Sequence, residues 1–153
     1  MTERNALTDR LQLLSEQEAT QTALFQQLAA ARYGLGVTDM KALSVLLREG
    51  PQTAGALLAH LHITSGAVTG VVDRLSEAGL ARREHDASDR RRVVISVVPQ
   101  GFAEREDVYA GIGQAFQQLY ENYSLDELRF LARHLERSVE ITTEQTAIIA
   151  ERP

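Results

Sequence analysis

The sequence predicts a mainly α-helical chain with one small β-hairpin. Three observations carry this. Apolar residues recur at spacings of three and four through most of the 153 residues. The helical stretches are punctuated by glycine, at Gly34 and Gly36, at Gly50-Pro51 and at Gly79. Only after Gly79 does the period change, where Val93, Ile95 and Val97 alternate with Arg92, Val94 and Ser96.

Taken in order, residues 7–31 predict a first helix through Leu7, Leu11, Leu14, Phe25 and Leu28, with a polar interruption from Glu18 to Gln21. Thr38 is expected to cap the second helix, with Asp39 in its first turn where the helix dipole favours an acid. Met40, Leu43, Val45, Leu46 and Leu47 form its apolar face. Thr53 caps a short third helix over 54–60, and Leu61-His62-Ile63 links it to a fourth, opened by Thr64 and running to about Ala78. Residues 80–85 and 92–98 read as two strands around the polar turn Asp86-Ala87-Ser88-Asp89-Arg90. Pro99-Gln100-Gly101 breaks the strand and a long helix is expected after it to about Asn122, with Phe102, Val108, Ile112, Phe116 and Leu119 as its stripe. Ser124-Leu125-Asp126-Glu127 is a capping box for a last helix over 125–149, whose apolar face holds Leu128, Leu131, Leu135 and Val139.

Composition narrows the function classes. At 44% apolar and 24% charged, the chain can bury a core and is not disordered. It has no cysteine, which excludes a disulfide scaffold, a thiolate zinc site and a thiol redox sensor. No run of 18 apolar residues occurs, and the first residues lack a basic segment followed by an apolar one, so no membrane span or signal peptide is expected and the cytoplasm is the simplest compartment. The formal net charge of −5 conceals a gradient. Residues 37–101 carry 8 basic and 7 acidic groups, whereas 102–153 carry 5 and 10. Residues 80–98 hold five arginines against three acids. Because charge acts over about 8–10 Å at physiological salt, an acidic chain can still offer DNA a basic edge.

Two short helices, a three-residue link, a third helix and a hairpin make a winged helix-turn-helix over 37–101, with 64–78 as recognition helix. At 100° per residue, Val68, Val71, Val72 and Leu75 share one face. Gly66, Thr69, Gly70 and Asp73 lie opposite, flanked by Ser65 and Arg74. Each glycine costs about 1 kcal/mol relative to alanine in a helix interior. Either they are accidental or required by packing, or they let the backbone approach the floor of a groove, with Ala67 and Thr69 offering methyl groups and Thr64 and Ser65 facing phosphate at the positive helix end. The hairpin supplies cations at Asp89-Arg90-Arg91-Arg92. Alone these would read as a solvated edge that blocks strand pairing. Beside a helix-turn-helix they read as arginines for a minor groove, with Asp89 placed to hold the fork of Arg91.

The stretch from Gly36 to Gly101 resembles the MarR family of winged-helix transcriptional regulators. The matching residues are Val37-Thr38, Ile63 to Thr69, Val72-Asp73-Arg74-Leu75, Gly79-Leu80, the Asp-x-Arg of Asp89-Arg90-Arg91, and Pro99-Gln100-Gly101. The resemblance implies a homodimer, usually a repressor, that binds pseudo-palindromic double-stranded DNA. Residues 7–33 and 102–150 would be its dimerisation helices, in one domain spanning 1–153. Carried over, Thr64, Ser65, Ala67, Thr69 and Arg74 fall on the recognition helix, and Asp89 and Arg91 on the wing. Family members also have an effector pocket, which implies a small aromatic or amphipathic ligand here; Phe25, Tyr33 and Tyr109 lie in segments that could line it, and no ligand-binding residue is assigned. The sequence departs from the family in Ser65 and Gly70, where larger or basic residues are common, in Leu58, where alanine is common, and in Val97-Val98, which replaces Leu-Thr and removes a hydroxyl cap from the helix that follows.

No cofactor, metal site or catalytic group is expected. His60, His62, His85 and His134 show no metal-ligand spacing. Neither Ser65-Gly66 nor Thr69-Gly70 forms a phosphate loop. With no Phe, Tyr or Trp from residue 34 to 101, a binder of single strands is disfavoured. The alternative is a winged-helix module that contacts another protein and not DNA.

Overall fold

The computed structural model describes residues 2–103 and 105–151. Nine elements follow in order among them: α1 (Glu3–Arg32), α2 (Val37–Glu49), α3 (Ala54–Leu61), α4 (Ser65–Glu77), β1 (Ala81–His85), β2 (Val93–Val97), α5 (Gln100–Ala103), α6 (Ala110–Tyr120) and α7 (Leu125–Ala150). They divide into two compact units, residues 1–107 and 108–153. This is the mainly α architecture with one antiparallel hairpin that the sequence predicts.

Local chemistry explains most boundaries. The Thr53, Thr64 and Ser124 hydroxyl oxygens accept from the backbone N–H three residues on, at 3.2–3.3 Å, and so open α3, α4 and α7. At α7 the Glu127 carboxylate accepts in return from the Ser124 N–H at 2.7 Å, completing the capping box. Gly34, Gly50 and Gly79 adopt φ of +69°, +79° and +68°, which a side chain rarely tolerates, at the ends of α1, α2 and α4. The left-handed residue between α3 and α4 is His62, at φ 52°.

The core of the first unit gathers on α2, α3, α4 and the hairpin. Leu43, Leu57, Val71, Val72, Leu75, Leu80 and Ile95 are almost fully buried. The α4 face of Val68, Val71, Val72 and Leu75 is the buried one, as the helical wheel predicts.

Three expectations change. Thr38 does not cap α2: the helix starts at Val37 with Gly36 as its cap, because the Asp39 carboxylate reaches back to the Gly36 N–H at 2.9 Å. β2 does not alternate. Val94, Ile95 and Ser96 are all buried: α2 packs against the strand, and Gln52 exchanges backbone hydrogen bonds with Ile95 along the edge away from β1. The long helix expected after Gly101 is interrupted. α5 spans Gln100–Ala103, residues 105–109 are not helical, and α6 begins at Ala110. The N–H groups of Gly101, Phe102 and Arg105 bond three residues back instead of four. The Gly101 carbonyl, which the Arg105 backbone N–H would use in a continuing α-helix, instead accepts from the Arg105 side-chain Nε at 3.1 Å.

Gly101 has a role that its helix-breaking character does not suggest. A Cβ there would collide with the Gly79 carbonyl, lying 2.9 Å from its carbon, so α5 rests backbone to backbone on the turn after α4. Gly101→Ala should therefore destabilise the fold by about 2 kcal/mol, the scale of overpacking. Urea unfolding measures it, and an unchanged midpoint would show that the turn yields.

Candidate nucleic-acid interface

α3 and α4 meet at a bend of 108°, within the range of helix-turn-helix motifs. With its apolar face buried, α4 presents Ser65, Gly66, Ala67, Thr69, Asp73 and Arg74 to solvent, and Gly70 partly so. The Thr64 hydroxyl oxygen is occupied in capping, but its O–H remains able to donate. The Thr69 hydroxyl donates to the Ser65 carbonyl at 3.2 Å, which leaves its methyl as the group to offer a partner.

The two glycines separate. A Cβ at Gly66 would meet no atom within 4 Å, so nothing in the described fold requires glycine there. At Gly70 it would stand 3.2 Å from Nη1 of Arg74, so Gly70 makes room for that guanidinium. Packing against Arg74 favours glycine at position 70, whereas no packing contact calls for it at position 66.

Arg74 is engaged inward. Its Nε donates to Asp39 Oδ1 and Oδ2 at 3.1 and 3.0 Å, and its Nη2 to Oδ1 at 2.7 Å. Asp39 is 1% exposed and Arg74 half exposed. The hydrogen bonds and charge of Asp39 hold the Arg74 pKa above its usual value. Asp73 on the same helix accepts from Nη2 of Arg83 on β1 at 2.7 Å, tying the recognition helix to the wing.

The wing tip is built by two aspartates. Asp86 Oδ1 accepts from the Ser88 N–H, the Ser88 hydroxyl and the Asp89 N–H at 2.7, 2.6 and 3.2 Å, an Asx turn. Asp89 accepts from the Arg91 backbone N–H at 3.0 Å and from its Nε at 3.1 Å. The Arg91 side chain is nonetheless 91% exposed, so it is aimed into solvent while held at its root. Arg90 and Arg92 are exposed beside it.

The structure thus brings Thr64 to Arg74 onto one helix and Asp89 to Arg91 onto the wing beside it. Sequence reasoning missed the Asp39 to Arg74 pair, which spans 35 residues and leaves no local signal. It also missed the Asp73 to Arg83 pair. Tyr33 is a core residue: it is buried and its hydroxyl donates to the Glu106 carbonyl at 3.2 Å. His60 pairs with Glu49 at 3.0 Å, and His134 stacks on Phe130 one helical turn away. Among the described residues no three His, Cys, Asp or Glu side chains converge as a metal site would require, and no single helix is long and apolar enough to cross a membrane.

The wing carries a pH dependence with a definite sign. The side-chain and backbone donors of Arg91 lower the Asp89 pKa below 3.8, and the Ser88 hydroxyl, then the N–H groups of Ser88 and Asp89, do the same for Asp86. Stability contributed by a depressed carboxyl is present above its unfolded pKa and lost as pH falls through the folded one. The Ser88 and Arg91 amide resonances should stay in place from pH 8 to about 4 and move only in stronger acid. A transition between pH 5 and 7 would contradict this account of the tip.

Comparison with known proteins agrees with this geometry. The MarR family model matches residues 33–92. The chain is 36% identical over 126 residues to the uncharacterized HTH-type transcriptional regulator YcgE of Bacillus subtilis strain 168, covering 82% of each chain. It is 26% identical over 130 residues to the HTH-type transcriptional repressor MdtR of the same organism, covering 81% of this chain and 83% of that one. A MarR family protein from Bacillus stearothermophilus shares the fold with a TM-score of 0.68 at 24% identity, over 94% of this chain and 99% of that one. With its helix-turn-helix, its arginine wing and these relatives, the chain belongs to the MarR family of DNA-binding transcriptional regulators, and it is not an enzyme.

Proposed function

We propose that the protein works in the cytoplasm as a homodimeric repressor on pseudo-palindromic operator DNA, and that a small aromatic or amphipathic effector relieves it. The observation that carries the dimer is apolar surface without cover. Leu7, Leu11, Leu14 and Leu28 of α1 are each about half exposed or more, and so are Phe130, Leu135, Val139 and Ile149 of α7. No described residue of α6 or α7 is buried. A second copy of the same faces is the simplest cover, with 7–33 and 102–150 as the dimerisation helices of one domain and 37–101 as the DNA lobe. The name of the relative MdtR supports repression. The effector rests on family resemblance.

In this reading α4 enters the major groove by the face of Ser65, Gly66, Ala67 and Thr69, with Thr64 at phosphate. Arg91, with Arg90 beside it, enters the adjacent minor groove, oriented by Asp89. Arg74 acts from within, through Asp39. Half-site centres lie about 10 bp apart or a multiple of that.

The test is a salt titration of binding to the duplex upstream of the protein's own gene. Tight binding with a steep salt slope is expected, and Arg91→Ala should weaken it and reduce the slope by about one unit for each phosphate no longer neutralised. Salt-insensitive behaviour, with a dimer confirmed by light scattering, would favour the protein-interaction module instead. Gly66→Ala separates the two readings of that glycine. It should raise stability by about 0.5–1 kcal/mol, the helix-propensity gain, while weakening DNA binding. Unchanged binding would remove the close-approach reading.

A further inference from the structure

The guanidinium of Arg105 lies where three segments of the first unit meet. Its Nη2 donates to the Ala78 carbonyl at 2.7 Å, its Nη1 to the Tyr33 carbonyl at 3.2 Å and its Nε to the Gly101 carbonyl at 3.1 Å. Ala78 and Tyr33 are the C-terminal caps of α4 and α1. Carbonyls at helix C-termini lack intrahelical donors and sit at the negative end of the dipole, so one cation serves both ends at once. Tyr33 closes the arrangement from the other side. Its ring lies 5.8 Å from the guanidinium carbon and its hydroxyl donates to the Glu106 carbonyl. Residue 33 and residues 105–106 therefore hold each other reciprocally. The contact of Gly101 with Gly79 sets the distance at which this happens.

We infer that Arg105 is a positioning residue for DNA recognition, fixing the end of the recognition helix α4 against the end of α1. α1 also bears one of the apolar faces that join the copies in the proposed dimer, and the inference rests on that dimer. In a two-fold dimer, the separation of the two recognition helices selects the half-site spacing. A clasp between α4 and α1 makes that selection sharp. Lysine cannot substitute, because three carbonyls on a planar fork match a guanidinium and not an ammonium. Arg105 is half-buried among carbonyls, so it adds no phosphate contact of its own.

The experiment uses a duplex selected by the wild-type protein from a random 30-bp library, together with versions lengthened or shortened at the centre by one and two base pairs. One base pair turns a half-site by about 34°, and wild type should lose about tenfold or more in affinity on such a change. Arg105→Ala and Arg105→Lys should bind the best duplex several-fold more weakly, yet lose less than about threefold on respacing, with the salt slope unchanged. Tyr33→Phe removes only the hydroxyl bond to Glu106 and should relax the preference in the same direction, which decides the matter if Arg105→Ala does not fold. Leu57→Ala, a core change on α3 outside the clasp, should weaken stability and keep the spacing penalty. If the Arg105 and Tyr33 variants keep it too, Arg105 is merely structural and the inference fails alone. If wild type is monomeric by light scattering or indifferent to spacing, the dimer reading fails and takes the inference with it.

Discussion

A carboxylate taken out of water must be matched by charge and hydrogen bonds, or its desolvation cost outweighs what its neighbours gain. Asp39 is the one carboxylate buried among the described residues. It is matched from two directions, by the Gly36 N–H and by the fork of Arg74. The first bond sets where α2 begins. The second joins that beginning to the recognition helix across 35 residues. Neither partner can move far without stranding a buried charge, so the pose of α4 is coupled to α2. Gly70 follows as a consequence, because a side chain there would crowd the guanidinium. The small outer face of α4 is thus partly the cost of an inner electrostatic constraint. Gly66 has no such neighbour, since a side chain there would meet open space.

This changes what Arg74 can do. An arginine on the flank of a recognition helix reads, from sequence, as a contact for bases or phosphate. Here Nε and Nη2 are committed to Asp39 while the side chain stays half exposed, so the pair also ties the recognition helix to α2. Arg91 is the opposite case. Its root is fixed by Asp89 while the side chain stands in solvent, so the fork is oriented before any partner arrives. Preorganisation of this kind reduces the ordering cost of binding.

Signals confined to one turn of chain were legible in the sequence. The capping hydroxyls of Thr53, Thr64 and Ser124, the glycine stops and the buried face of α4 all depend on residues within four positions of one another. What could not be read depends on distant partners. The start of α2 moved because Asp39 serves as cap and ion-pair partner at once. The alternation of β2 failed where α2 and the segment of Gln52, both distant in sequence, close around the strand. The break after α5 coincides with Arg105, whose acceptors at Tyr33 and Ala78 lie 72 and 27 residues away. At the candidate site, residue identities, faces and the hold of Asp89 on Arg91 were legible, but the pairing of Arg74 with Asp39 was not.

The apolar stripes of α1, α6 and α7 present a different problem. Their periodicity was readable, and they formed the helices it implies, apart from the break after α5. Yet α6 and α7 bury none of their described residues. Helices in water draw most of their stability from packing of an amphipathic face, and propensity contributes little beyond it. Such faces persist only if something covers them. With a second copy as the cover, folding of these helices and assembly become one equilibrium, and stability depends on protein concentration. Recognition would share that dependence, because two half-sites can be read together only when the helices that join the copies are formed. The charge distribution suits this division. The acids concentrate in 102–153, separate along the chain from the arginines of 80–98, so a segment that joined a second copy would not compete for phosphate.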